Sequence, residues 1–285
     1  MNKNDYDPWG IKNLDPPEYL FHYTTVESLA LILKSHSIKF SPLTNLDDLE
    51  EAKFNDLKKI GNYCFVSSWT NEEKESIPMW KMYTGKDNGV RIKMKSRPFK
   101  LYEDELNDNS FFKTLIPFHL LKEQNIFCRQ YQGGEGPFKV IYTDDENCLY
   151  PKLIEQGKNE LYFGIGEIGK YKRTAWKFQK EYRYILNIFP MNMNVFPDDK
   201  NQINQFMKKI NIELNQVIRG AMEDSLEESN QKSFYLKISD DAYENIEITL
   251  SPFISDGNRA IVDVLKEKYA PNMKIKESDL FEKIR

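Results

Sequence analysis

The order of strand-like and helix-like segments predicts a mixed α+β protein with helices on the outer faces of its sheet. Three observations carry this. Apolar residues alternate in some stretches and recur every three or four residues in others, the periods of strands and helices. Aromatic residues make up 13% of the chain, which suits a sheet with rings along a cleft better than a helical bundle. The chain closes with a strand over Ile246 to Leu250, a helix over Asn258 to Tyr269 and a strand over Met273 to Lys276, an order that implies a parallel crossover. A length of 285 residues is enough to bury a substantial core. The expected organisation is an arm over 1–17, a body over 18–190, a helical insertion over 191–230 and a C-terminal unit over 231–285 that completes the same domain.

The arm carries Pro8, Pro16 and Pro17 among polar residues and no arguable chemistry. The stretch Leu20-Phe21-His22-Tyr23-Thr24-Thr25-Val26-Glu27 then turns from strand to helix, with Thr24 and Glu27 spaced as a capping box. Val26, Leu29, Ile32 and Leu33 recur at helical spacing, and Ile38, Lys39 and Phe40 alternate as a short strand after His36-Ser37. His22 and Tyr23 stand at the end of the first strand. They are either cleft residues or a satisfied core histidine beside a packing aromatic. Asp47-Asp48-Leu49-Glu50-Glu51 reads as a loop entering a short acidic helix. Its carboxylates suit either a hard cation or simply the positive end of that helix.

Tyr63 to Trp69 reads as a buried strand. Ile77 to Tyr83 reads as a short helix begun by Pro78, with Met79, Trp80 and Tyr83 sharing a face, and Val90 to Met94 as a strand. Phe111, Phe112, Leu115, Ile116, Leu120 and Leu121 suggest a helix interrupted by Pro117. Gly133-Gly134-Glu135-Gly136-Pro137 is a turn that lacks the Lys-Ser/Thr ending of a phosphate-binding loop. Phe138 to Tyr142 alternates as a strand, and 152–173 reads as mostly helical despite its glycines. From Trp176 to Leu186 the alternation of Tyr182, Tyr184 and Leu186 with Glu181, Arg183 and Ile185 predicts a strand entered at Glu181, with Gln179 on the same side. Those polar residues form either a site or a solvated salt-bridge face. Ile203 to Ile218 carries helical periodicity, an amphipathic helix that either docks on the body or binds a protein partner through 200–225.

A net charge of −4 and a pI near 5.6 give no general attraction to nucleic acid or anionic membrane, although a local basic patch stays open. No run approaches the roughly 18 apolar residues of a membrane span, and the polar opening has no signal core, so a cytoplasmic protein with no membrane partner is expected. Cys64, Cys128 and Cys148 have no Cys-x-x-Cys spacing, which argues against a disulfide framework or a zinc site.

Together, Phe21-His22-Tyr23-Thr24, Ile38-Lys39-Phe40-Ser41-Pro42, Ser67-Ser68-Trp69, Met79-Trp80-x-x-Tyr83 and Trp176-x-x-Gln179-x-Glu181-Tyr182-Arg183 resemble the bacterial family filed as domain of unknown function 2971. The likeness runs from about Tyr19 to Arg183 and resumes at the closing strand-helix-strand. It departs at Asp47-Asp48-Leu49-Glu50-Glu51, where the family has Asn-Asp-Pro-Phe-Glu, and at Gln179, where it has Glu; the long helix after Pro190 looks additional. That family resembles, remotely, the ADP-ribosyltransferase fold. The resemblance implies a split, strongly bent sheet around NAD as substrate, with no metal. It places His22 toward the adenosine-side ribose, Tyr23 or Tyr83 against the nicotinamide, and Glu181 on the nicotinamide ribose hydroxyl. Thr24, Ser41, Ser68 and Trp80 complete the implied cleft.

Cleaving the NAD glycosidic bond passes through an oxocarbenium-like state, so a fixed carboxylate beside the sugar is the central requirement. Glu181 is the candidate: a unit charge about 4 Å from the developing cation at an effective dielectric of about 20 is worth roughly 4 kcal/mol, about a thousandfold in rate. Gln179 would orient the acceptor, and Arg91 and Arg183 are the available pyrophosphate donors. The leading expectation is an NAD-consuming transferase or glycohydrolase, a toxin or phage-defence effector with a protein or nucleic-acid acceptor. The alternatives are a non-catalytic module binding a nucleotide or protein in the same cleft, and a metal-dependent nuclease or phosphoesterase using Asp47, Asp48, Glu50 and Glu51.

Overall fold

The computed structural model describes residues 16–107, 110–129, 137–157, 161–193, 203–225 and 232–284. The N-terminal arm lies almost wholly outside them, as do the glycines of the 133–137 turn and both flanks of the predicted helical insertion.

The chain opens as a strand-helix-strand unit: β1 (Tyr19–Thr25), α1 (Val26–Ser35) and β2 (Ser37–Pro42). Thr25, not Thr24, caps α1, its Oγ1 accepting from the Ser28 N–H. Thr24 still belongs to the strand, and the Glu27 carboxylate bonds to its own N–H and the Thr25 hydroxyl as well as accepting from the Asn88 amide at 2.9 and 3.1 Å. His36 ends the helix in left-handed backbone, φ 49°. Then come β3 (Cys64–Thr70), α2 (Ile77–Tyr83) capped by Ser76, and β4 (Gly89–Lys95), much as their patterns predict.

The middle of the chain departs from expectation. The predicted helix around Phe111 is a hairpin, β5 (Tyr102–Asn107) and β6 (Ser110–Thr114), followed by α3 (Phe118–Gln124) and β7 (Ile126–Arg129). Aromatic and β-branched residues favour the strand ahead of Pro117. After β8 (Phe138–Lys139), β9 (Ile141–Tyr142) and α4 (Glu146–Leu149), the predicted helix over 152–173 is instead β10 (Ile154–Gln156), β11 (Leu161–Phe163), a 3-10 turn and β12 (Tyr171–Lys172). Gly164, Gly166 and Gly169 would each cost a helix about 1 kcal/mol, and Gly169 sits at φ 79°, outside helical backbone. The acidic run 47–51 forms turns rather than a helix. It has no apolar stripe to bury: Leu49 is 73% exposed.

The remainder is β13 (Glu181–Pro190), α5 (Ile203–Met222), β14 (Phe234–Lys237), α6 (Asp240–Glu244), β15 (Glu247–Leu250), α7 (Asp256–Tyr269) and β16 (Lys274–Lys276). β15 and β16 are parallel, as the closing crossover requires. The principal sheet is mixed and runs β14-β2-β3-β1-β4-β15-β16, with β13 on β3 and β7 and β8 on β13. One face packs Leu29 and Leu33 of α1 and Val262 and Leu265 of α7 against Leu20, Phe65, Ile92 and Ile248. The other face gathers Leu57, Ile60, Val66 and Ile168, where Val217 of α5 is buried, so α5 docks on the body. Cys64 and Cys128 are buried free thiols, and burial pushes the Cys64 thiol up to about 12. Among the described residues no helix is long and apolar enough to cross a membrane.

Candidate functional site

The site follows from how β3 is paired. One edge is taken in full by β13, from Glu181 opposite Thr70 to Asn187 opposite Cys64. The other edge is shared: β1 reaches it at Thr70, opposite Phe21, and β2 at Val66 and Phe65, opposite Ser41 and Pro42. The carbonyl of Glu181 faces β8, accepting from the Val140 N–H at 2.9 Å. By the alternation of a strand, Tyr182 and Tyr184 then bond to β3 through Trp69 and Ser67, and the Ser68 peptide faces the shared edge. Among the described residues no strand lies opposite it. Its carbonyl accepts from His22 Nδ1 at 2.9 Å.

Between the diverging strands lies a cavity of about 360 Å³, whose lining includes His22, Tyr23, Thr24, Ser41, Ser68, Tyr83, Gln179 and Glu181. That size falls within the range of small-molecule pockets, about 300–1,000 Å³. The His22 ring packs at 5.0 Å from Trp69. Burial lowers its pKa, only partly opposed by the Ser68 hydrogen bond, so it is neutral near pH 7. With Nδ1 donating to Ser68, Nε2 is the acceptor.

Glu181 is 4% exposed. Its Oε1 accepts from Arg183 Nε at 2.6 Å, and its Oε2 from Arg183 Nη2 at 3.0 Å and Lys172 Nζ at 3.1 Å. The Ser68 hydroxyl adds a further hydrogen bond. Burial alone would raise its pKa, but the two cations and these hydrogen bonds outweigh it and hold the carboxyl at about 2. Glu51 closes the group, pairing with Lys172 at 3.0 Å and with Arg183. Two buried acids thus face two buried bases. The polar face of β13 is interior, not solvated.

At the same end of the cleft, Gln179 leaves the 3-10 turn before β13, and Lys180 in left-handed backbone, φ 43°, directs the chain into the strand. The Gln179 amide donates to the Tyr83 hydroxyl, whose own hydrogen bond goes to Asp47. Burial and the Asp47 and Glu181 charges push the Tyr83 pKa up, so it stays a neutral phenol. Tyr23 reaches the cleft from β1 while its ring stands edge-on to Trp80 at 4.8 Å and its hydroxyl accepts from the Ser76 N–H.

Three expected site residues are placed elsewhere. Trp80, 1% exposed, is core, its indole N–H bonded to Glu75. Arg91 stacks over Phe21 at 4.6 Å and donates to the Glu73 carbonyl. Arg183 is 0% exposed, and its guanidinium is committed to Glu181, Glu51 and the Gly169 carbonyl. Both arginines are buried, and neither lines the cavity. The cations that do line it are Lys172 and the exposed Lys39, beside Leu31 and Tyr235 at the mouth. Nothing in the sequence marks Lys172, Lys39 or Tyr235 as site residues. Only the register Tyr235 opposite Lys39 brings the last two together, and their sequence separation conceals it.

The acidic run resolves into separate attachments: Asp47 to Tyr83, Asp48 to the Glu50 N–H, Glu50 to Arg173 and Tyr150, and Glu51 to Lys172 and Arg183. Among the described residues no three His, Cys, Asp or Glu side chains gather as a metal-binding group. Comparison of the chain with protein-family models, with curated proteins and with solved structures finds no match.

Proposed function

We propose that the cleft binds NAD and that the protein cleaves its nicotinamide glycosidic bond at Glu181, passing the ADP-ribosyl group to water or to a protein or nucleic-acid acceptor. The observation that carries this reading is the position of Glu181: an ionised carboxylate, fixed by three N–H donors, lining a cleft that also presents a neutral His22. A sugar with hydroxyls toward Ser68 and His22 Nε2 would sit in the unpaired gap, its anomeric carbon near the carboxylate. As the C–N bond breaks, its electron pair leaves with nicotinamide. The incoming oxygen or nitrogen bonds to the sugar and gives up its proton to solvent or to an acceptor base. A carboxyl held at about 2 is too weak a base to take that proton at neutral pH. Glu181 therefore acts by charge and hydrogen bonding, and Gln179 orients the acceptor. Because Arg183 and Lys172 offset its charge, its effect is closer to the roughly hundredfold of one preorganised transition-state contact than to that of a bare carboxylate. Lys39 replaces the two arginines as the phosphate partner.

The test is nicotinamide release from NAD by the wild-type protein beside Glu181→Gln, with and without cell lysate as acceptor source. Release that falls about a hundredfold in the variant supports the reading. A second reading, a non-catalytic nucleotide-binding module, is favoured by the hydrogen bonds that occupy both Glu181 oxygens within the protein. It predicts that NAD raises the melting temperature while no nicotinamide is released.

A further inference from the structure

The acidic run and the Gly169 to Arg173 segment converge on Glu181, a convergence that the reading of the cleft does not by itself require. Glu51 stands on a turn after β2, and Lys172 is the last residue of β12. Both are buried, 7% and 4% exposed. Lys172 bridges the two acids, 3.0 Å from Glu51 and 3.1 Å from Glu181, while its ammonium lies 4.8 Å from the centre of the Trp176 ring. Arg183 pairs with the same two acids. Removing two buried cations from water is costly unless each is matched. One carboxylate facing two cations would leave the cluster at a net charge of +1 beside the sugar, where positive charge must develop in the reaction. With Glu51 the four groups sum to zero.

We propose that Glu51 and Lys172 are positioning residues that set the charge of the Glu181 site, Lys172 fixing the carboxylate and Glu51 cancelling the excess cation. The inference rests on the NAD reading for its kinetic consequence, but not for its electrostatic one. The charged and titratable groups that face Glu181 are Arg183 on β13, Lys172 on β12, Glu51 on the acidic turn, Tyr83 on α2 and Tyr142 on β9, whose hydroxyl accepts from the Glu181 N–H.

Two measurements on the full chain test it. In the first, Glu51→Gln, which conserves shape, is compared with Glu51→Gln/Lys172→Met, which restores neutrality. The single variant loses kcat for nicotinamide release about 30-fold, the factor for a unit charge about 8 Å away at an effective dielectric of about 20, with KM for NAD nearly unchanged. The double variant recovers most of that loss. A purely structural pair would instead leave the double variant no better than the single. In the second, carbon NMR follows the Glu181 carboxyl through a pH titration. Lys172→Met moves its midpoint upward, and adding Glu51→Gln brings it back down. Unchanged kcat in Glu51→Gln, a double variant that does not recover, or a Glu181 midpoint indifferent to both changes overturns the inference. If the wild type releases no nicotinamide but the midpoints move as stated, the NAD reading fails and the charge-setting role stands. If Glu51→Gln does not fold while the neutral double variant does, the charge balance is again supported; if neither folds, the recovery fails and the inference is overturned.

Discussion

Replacing Arg183 by Met separates a buried structural cation from a ligand-binding one. The guanidinium is fully enclosed, with two hydrogen bonds to Glu181, one to the Gly169 carbonyl at 3.0 Å and an ion pair to Glu51. Methionine keeps much of the aliphatic stem, so packing changes little. What remains is two buried carboxylates with only Lys172 between them. Breaking a buried pair by removing one partner costs about 3–5 kcal/mol, because the other charge is left uncompensated. Hydrogen bonds to charged groups at about 1.5–3 kcal/mol each give a loss of the same order. Urea unfolding at pH 7, with a matched slope in the two proteins, reads the difference directly. The wild type should also hold its stability down toward pH 2 better than the variant. Its Glu181 carboxyl is held below the unfolded value of 4.5, so the contribution is complete above that pH and is lost as pH falls through about 2. A loss below about 1 kcal/mol, the value of an exposed pair, would refute this assignment. NAD affinity that collapses while stability stays intact would return Arg183 to the ligand.

Two further outcomes are expected. His22 has a folded pKa below its unfolded 6.5, chiefly through burial, so the unfolded chain binds more protons and stability falls as pH drops from 6.5 through the folded value; urea unfolding at pH 7.5 and 5.5 should show that slope flattened in His22→Gln. Gly169→Ala should destabilise by about 1–2 kcal/mol in thermal unfolding, because its φ of 79° disfavours a side chain even though a Cβ there would find room beside Ile185; a melting temperature equal to wild type would refute the strain.

Where the sequence pattern was local, it was legible. The period-2 and period-3.6 runs of 19–42, 64–70 and 77–95 became strands and helices close to where they were expected, and the closing crossover is parallel. His22, Ser68, Tyr83, Gln179 and Glu181, which the resemblance implies for one cleft, do line one cavity. What failed was direction and partnership. Arg183 alternates with its neighbours in the same way whether its guanidinium meets a ligand or a carboxylate two residues away, and period alone cannot separate those cases. The acidic run looked like a helix start because acids cluster there, yet each of its carboxylates is held by a different partner. Glu50, for example, is drawn down to about 2 by hydrogen bonds from Arg173 and Tyr150, more than 95 residues further along the chain.

The cleft itself follows from a conflict of register. β1 and β2 are both antiparallel to β3 and both approach the same edge. Extending β1 from Phe21 opposite Thr70 would bring Tyr23 opposite Ser68. Extending β2 from Ser41 opposite Val66 would bring Lys39 opposite the same Ser68. Two strands cannot occupy one edge, so both turn away, and α1 spans the opening between them. The Ser68 peptide is then left without a strand, and an unmet buried carbonyl costs about 1–3 kcal/mol. His22, the residue after Phe21, where the pairing of β1 with β3 ends, meets it with its ring nitrogen. Its other nitrogen is thereby presented as an acceptor in the gap. The histidine is thus explained first by the sheet, as a substitute for missing strand pairing, and its availability to a ligand is a consequence of that duty. For this reason His22 variants should be read through stability before any loss of binding is assigned to a lost ligand contact.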